Sequence, residues 1–546
     1  MRAAQALRNA LDTLPSTAAP GIRLALLRQL AHLYFDNGEW ASAEPQFTRA
    51  IEVESGLLKT AVHGAGRRVR LPSDLHPRHA YCLLQLGRLE EALVRLETGK
   101  ARLLALAVAL TAARLGALHP DLREKLVRRS RDIRLLTSQR EDEKVKRFGT
   151  KLDDAAFGDA LAGARLELKL LLDEVDDPGL SFDAIMTLAP EQGALVAPVF
   201  TSKGSAVFVI PHGAKRVTVG DVLLLKDFTT VDLGVLIERS KERSEQAIDD
   251  VTKVLWDGLV AKVHARLRRL AVRRILLLPQ GGLGLLPVHA AWREEDGQRR
   301  FFADDVEITY APSALALDTS RRRATAGRAQ RSLIAGVSKS AKFGDLDSVE
   351  PEVQAVAALL GTEPLANCEA TPATVLRRSR DVDYLHLACH GAFGWGTDPL
   401  ESALYLSGDE PLSLADVIGR LDLSGNQLVT LSACESGVVE GSQSPDEFIG
   451  LMAGFMQAGA AGVLSSLWRV DDVSTWLLME RFYKNHVEES MQPAAALRDA
   501  QHWLRGLTRE EVGRIPGCWE ILLLGRRNDC PYGNPYHWAA FTYNGV

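Results

Sequence analysis

Three textures of apolar and polar positions follow one another along the chain. Up to about residue 176, apolar positions recur at helical spacing in a background of Ala, Leu, Arg and Glu with few β-branched runs. That pattern predicts helices almost throughout. From Ser181 the texture changes to short apolar runs between turns, at Gly193–Phe200, Ser205–Ile210, Arg274–Pro279 and Val306–Tyr310, with one helical segment over Glu245–Leu270. These runs predict strands. From Ser332 the alternation is clearest. Strands are predicted at Ser332–Gly336, Val382–Cys389, Ala403–Leu406, Gln427–Ala433 and Gly462–Trp468. Helices are predicted at Glu350–Leu360, Ser413–Arg420, Phe448–Ala458, Asp472–Asn485 and Pro493–Leu504. The later strands are apolar at every position, as in a parallel sheet covered on both faces. The fold class is therefore α/β preceded by an all-α region.

The helical region carries a repeat pattern. Small residues at Ala31, Ala43 and Ala50 alternate with large ones at Leu30, Tyr34, Trp40 and Phe47, with Gly38 at the turn. Two antiparallel helices pack this way only where small residues admit the neighbour's large ones, as in tetratricopeptide repeats. A fainter copy holds Ala80, Leu83, Gly87, Leu89, Ala92 and Leu96. The turn glycines are 87 − 38 = 49 residues apart, against a usual repeat of about 34. Either an insertion separates two repeats or these are two independent helical hairpins. The charged stretch Asp121–Asp176 reads as a solvated helix face. Ser320–Arg331, rich in arginine and without an apolar face, reads as an exposed linker.

Composition narrows the function. The 546 residues carry a net charge of −5, which argues against a dedicated nucleic-acid binder. The N-terminus lacks the apolar core of a signal peptide, and the longest apolar run, Leu103–Ala113, falls short of a bilayer span of about 20 residues. A soluble cytoplasmic protein is expected, with no membrane partner. Six irregularly spaced cysteines do not make a disulfide framework. No paired Cys-x-x-Cys, His-Glu-x-x-His or phosphate-loop motif occurs, so no metal or other cofactor is expected.

Two apolar strands end in reactive residues. VDYLHLACHG runs into His390-Gly391, and NQLVTLSACESG runs into Ala433-Cys434. In α/β sheets, sites form beyond the carboxyl ends of strands. The 434 − 390 = 44 residues between the two leave room for a helical crossover between adjacent parallel strands. A thiol needs a base or an electropositive partner to act as a nucleophile near neutral pH, and histidine supplies one. The N–H groups of Gly391 and Cys434 could together hold an oxyanion. His386, four residues before His390 on the same predicted strand, faces the same side and is read as a buried histidine bonded to backbone. Cys389 should point the other way, into the core.

The motif HLACHG (His386–Gly391) and the motif LSACESG (Leu431–Gly437), with AGAAGVLSSLWRVDD (Ala458–Asp472) and the closing PYHWAAF (Pro535–Phe541), resemble the CHAT-domain family. These are caspase- and separase-like cysteine peptidase domains often joined to tetratricopeptide repeats. The caspase signature itself is not kept, because Ser432 stands for its Gln and Glu435-Ser436 for its last two positions. The resemblance implies a caspase-like fold, soluble and bacterial. In it Cys434 is the nucleophile, His390 the general acid/base, and the main chain of Gly391 and Cys434 the oxyanion hole. It places specificity elements just after the Gly462–Trp468 strand. Trp468, Asp471 and Asp472 are the candidates for the pocket that takes the residue before the scissile bond, where an aspartate would favour Arg or Lys. Asp471 or Asp472 could equally cap the helix that follows.

The organisation expected is a helical, repeat-like region with its charged connector over 1–176, a pseudo-protease half over 177–331, and a catalytic half over 332–546. The function expected is a cysteine endopeptidase that cleaves a protein substrate, with a protein or peptide regulator held on the repeats. The rivals are a non-catalytic repeat scaffold with a vestigial protease fold, and a zymogen that waits for a partner.

Overall fold

The computed structural model describes residues 2–14, 20–61, 74–100, 180–323, 331–392, 402–433, 450–469 and 471–546. The chain divides into two compact units, Met1–Leu180 and Ser181–Val546. The charged stretch Asp121–Asp176, the apolar run Leu103–Ala113 and Cys434 lie outside the described residues, as do residues 324–330 and the start of the Phe448 helix.

The described residues of the first unit are helical: α1 (Arg2–Thr13), α2 (Pro20–Asp36), α3 (Trp40–Ala61), α4 (Leu75–Gln85) and α5 (Leu89–Thr98). Helices α2 and α3 form one hairpin, α4 and α5 another. Ala31, Ala43, Ala50, Ala80 and Ala92 are all buried beside Phe35, Phe47, Leu83 and Leu96. The two turns are built alike. Gly38 N–H donates to Phe35 O and Glu39 N–H to Tyr34 O. Gly87 N–H donates to Leu84 O and Arg88 N–H to Leu83 O. Both glycines sit at positive φ, +75° and +76°, where a Cβ is disfavoured.

The second unit is organised by an eleven-stranded sheet. Its strands are β1 (Ala194–Thr201), β2 (Gly204–Pro211), β3 (Val222–Leu225), β4 (Arg274–Leu277), β7 (Glu307–Tyr310), β8 (Ser332–Gly336), β9 (Leu365–Ala366), β10 (Tyr384–Ala388), β14 (Leu428–Ser432), β15 (Gly462–Ser466) and β16 (Phe541–Gly545). The hairpin β5 (Trp292–Glu295) and β6 (Gln298–Phe301) stands apart, as does a small antiparallel sheet of β11 (His390–Ala392), β12 (Ala403–Leu406) and β13 (Glu410–Ser413). The large sheet runs β3-β2-β1-β4-β7-β16-β15-β14-β10-β8-β9. Strands β1, β10, β14 and β15 are apolar and buried, with Val349–Leu359, Asp472–Tyr483 and Pro493–Gly506 among the helices packed on the sheet.

The sheet is mostly parallel, but in two blocks of opposite sense. Strands β8, β9, β10, β14 and β15 run together, and β16, β7, β4 and β1 run together. The blocks meet where β16 pairs antiparallel with β15, Ser466 opposite Phe541. Carried across the sheet, the registers set Gly336, Ala388, Ser432, Ser466, Phe541, Glu307 and Arg274 in one row. One edge of the sheet therefore holds the carboxyl ends of the first block and the amino ends of the second.

Several expectations are corrected. Ala403–Leu406 is a strand, but of the small antiparallel sheet. His390 does not continue β10. The ladder ends at Ala388, and His390 opens β11 beside Tyr405. The helix over Glu245–Leu270 is interrupted by a π turn at Trp256–Val260, where Gly258 passes so close to Phe228 that a Cβ would lie 2.4 Å from its ring. Ser320 is buried in the helix Ala314–Arg323, and Arg321 Nη1 donates to Thr187 O at 2.8 Å, so the expected linker begins as packed helix. The β5–β6 hairpin is absent from the sequence reading because its strands are polar and exposed. Its signal was the turn Asp296-Gly297, both at positive φ.

Phe541 is 2% exposed at the seam between the blocks. Phe541→Ala should cost about 3–5 kcal/mol of stability, read as a lowered urea midpoint with native far-UV circular dichroism in water.

Candidate active site

The site edge is set by the carboxyl ends of β8, β10 and β14. Ala388 and Ser432 are register partners on adjacent parallel strands. His390 follows the first by two residues and Cys434 follows the second by two. The chain leaves β8 toward β9 on one side and returns as β10 on the other. The loops after β8 and β10 thus diverge, the arrangement that opens a crevice in α/β sheets.

His390 is buried and oriented. Its Nε2 lies 2.8 Å from Gly344 O. A carbonyl only accepts, so Nε2 carries the proton and Nδ1 is left as the base in the neutral ring. Phe343 packs on the imidazole at 5.2 Å between ring centroids and on Tyr405 at 4.5 Å. Lys342 lies over both Phe343 and Tyr405. The loop is pinned by Asp409, which accepts from Ala341 N–H at 3.0 Å and Lys342 N–H at 3.1 Å. Gly344, at φ +90°, turns its carbonyl to the histidine. Sequence reasoning missed this residue, because a backbone acceptor leaves no side-chain signature. The one sequence cue is a glycine in a polar loop after an apolar strand.

A narrow cleft opens beside these loops, lined by Cys389, Ser432, Ala433, Ser466, Trp468 and Asp472 with Glu352 and Phe541 among its other walls. Ser466 Oγ donates to Ala433 O at 2.7 Å, which fixes the carbonyl just before Cys434. Trp468 is buried, and its Nε1 donates to Tyr536 O at 3.0 Å. The two aspartates divide. Asp471 caps the helix Asp472–Tyr483 by accepting from Ser474 N–H at 3.0 Å. Asp472 faces the cleft, and burial, with the neighbouring charge of Asp471, raises its pKa above the ordinary carboxylate value.

Behind the cleft, His386 meets a carboxylate and not the backbone. Glu352 Oε1 lies 2.9 Å from His386 Nε2, an ion-pair distance without the alignment of a hydrogen bond. Both residues are buried. Cys389 is buried too, yet it lines the cleft. Among the described residues no group of His, Cys, Asp or Glu is placed to hold a metal ion, and no helix is long and apolar enough to cross a membrane.

The family model of the CHAT domain matches residues 249–546. The chain belongs to the CHAT domain family. The match takes in the whole first block of the sheet and β4, β7 and β16 of the second, with the helices that flank them, and begins after β1. Solved structures similar to this CHAT protein include a chain of the Saccharomyces cerevisiae separase–securin complex, at 11% identity, over 100% of this chain and 48% of that one, with a TM-score of 0.42. This chain thus spans about half the length of that relative. Others are the complex of Porphyromonas gingivalis RgpB pro- and mature domains, at 11% identity over 58% and 76% of the two chains, TM-score 0.33. The Arg-specific cysteine proteinase gingipain R matches at 12% identity over 58% and 74%, TM-score 0.32. No curated protein matches.

Asp472 binds its proton more tightly folded than unfolded, so its contribution to stability is present at acid pH. It is lost as pH rises from the ordinary carboxylate pKa through the raised one. Asp472→Asn should therefore raise the melting temperature at pH 7 and leave it unchanged at pH 3. Thermal melts across that range check the sign.

Proposed function

We propose that this CHAT protein is a cysteine endopeptidase with Cys434 as nucleophile and His390 as general acid/base. The observation that carries this is the equal offset of the two residues from the paired Ala388 and Ser432, with His390 already held by Gly344 O so that Nδ1 is the free base. In the proposed reaction Nδ1 takes the thiol proton, and the thiolate attacks a peptide carbonyl. The oxyanion is held by the N–H groups of Gly391 and Cys434. His390 then protonates the leaving amine, and water hydrolyses the acyl-enzyme.

The residue before the scissile bond is proposed to be Arg or Lys. Asp471 is occupied as a helix cap, so the recognition falls to Asp472 at the cleft beside Trp468. Asp472 is a desolvated carboxylate that feels Asp471 and Glu352 on one side and Arg469 and His390 on the other, and a substrate cation reaching it would form a charge-assisted pair. The helical hairpins are proposed to hold a protein or peptide regulator in a concave groove.

Mass spectrometry of a peptide library incubated with wild type and with Cys434→Ala tests the reading. Cleavage should fall at least about a thousandfold in Cys434→Ala and in His390→Ala, and cuts should follow Arg or Lys. Asp472→Asn should lose that preference by about tenfold or more in kcat/KM. Cleavage that persists in Cys434→Ala sinks the assignment. Silence in the wild type, with no labelling of Cys434 by a thiol-reactive peptide probe, favours the non-catalytic scaffold.

A further inference from the structure

A groove of about 1300 Å³ opens on the second block of the sheet, lined by seven arginines against five carboxylates. This is larger than the ~300–1,000 Å³ of pockets that take one small molecule. Its walls are the residues just before β4 (Ala271, Val272, Arg273), those just before β7 (Asp304, Asp305, Val306), the β5–β6 hairpin, and the helix Pro493–Gly506.

The charges inside are not balanced. Asp305 and Glu295 are both shared by Arg293 and Arg300, Asp304 pairs with Arg505, and Asp499 with Arg498. Arg299 reaches out of the groove to Asp249. Arg268 and Arg273 are exposed, and among the described residues no carboxylate lies within ion-pair distance of either. Arg293 also keeps a buried Nη1 without a hydrogen-bond partner. Guanidinium forks with donors to spare call for a ligand rich in carboxylate or similar acceptors.

The occupant is a peptide in preference to a nucleic acid. Carboxylates interleave with the arginines along the wall, and a phosphodiester backbone brings only acceptors to meet them. Among the described residues of the groove no open aromatic platform serves stacked bases: Trp538 is buried, and Arg299 lies over Trp292. An extended acidic peptide has the opposite fit, offering carboxylates to the spare arginines and backbone N–H groups to the interleaved acids.

Position supports the same occupant. The groove stands at the amino ends of β4 and β7, and the candidate cleft stands at the carboxyl ends of β14 and β15. The reversal at β16 puts both on one edge. From β14 to β7 is three strand spacings, about 14 Å, and an extended chain covers that in about five residues. We infer that the groove binds an extended acidic segment of a protein partner, in line with the cleft. The inference concerns binding and stands whether or not Cys434 is a nucleophile.

The test uses the full chain carrying Cys434→Ala, so that no probe is cut, and a fluorescein-labelled octaglutamate peptide read by anisotropy. The peptide should bind, weaken as salt rises, and lose at least about tenfold in affinity in the double variant Arg268→Glu/Arg273→Glu. If that variant does not fold, Arg268→Gln/Arg273→Gln takes its place and should lose at least about threefold. Absence of binding, unchanged affinity in the folded variant, or tighter binding of a single-stranded RNA octamer than of the peptide would overturn the proposal. Cleavage by wild type is measured separately, so failure of the groove and failure of the peptidase reading remain distinct results.

Discussion

The pairing of β10 with β14 governs what the site can be. A slip of one residue in a strand ladder turns every side chain to the opposite face, and here it would also offset the two strand ends from one another. The register is held by more than apolar packing. His386 and Thr430 are partners across the ladder, and Tyr483 touches both. Its hydroxyl lies 2.8 Å from Thr430 Oγ1, and its ring stands edge-on to His386. Since Tyr483 comes from a helix, the helix layer reads the register of the sheet directly. Leu385 and Leu387, by contrast, contribute apolar burial on the other face.

What was legible in the sequence follows from this. Continuous apolar runs marked β8, β10, β14 and β15 to within two residues, because buried parallel strands need apolar side chains on both faces. The words around His390 and Cys434 marked the family. The change of sheet at Cys389 was not legible, since a strand that leaves one ladder for another keeps its extended texture. Nor was the sense of β16. FTYNG has no periodicity long enough to read, and its partners are set by residues some 75 and 230 positions away in the ladder. The role of Gly344 rests on a carbonyl, which every residue has.

Electrostatics separates the two halves of one edge. The cleft holds Asp472 and Glu352, while the groove two or three strands away holds arginines in excess. The modest net charge of the chain conceals this division, because it averages over patches of opposite sign. Trp538, buried in the groove wall, lies two residues from Tyr536, whose carbonyl accepts from Trp468 in the cleft and whose hydroxyl donates to Arg469 O. One short helical turn therefore braces both places.

The seam made by β16 has a consequence for how the domain comes into being on the ribosome. Every other strand of the large sheet precedes it in sequence, and neither block reaches the other without it. Each block has local pairings that form as its residues emerge, but their union waits for a strand synthesised last among them. Until then β7 and β15 each present an unpaired edge, the kind of surface that invites mispairing. Chaperone demand should thus concentrate in the interval between the emergence of Gly462–Ser466 and that of Phe541–Gly545.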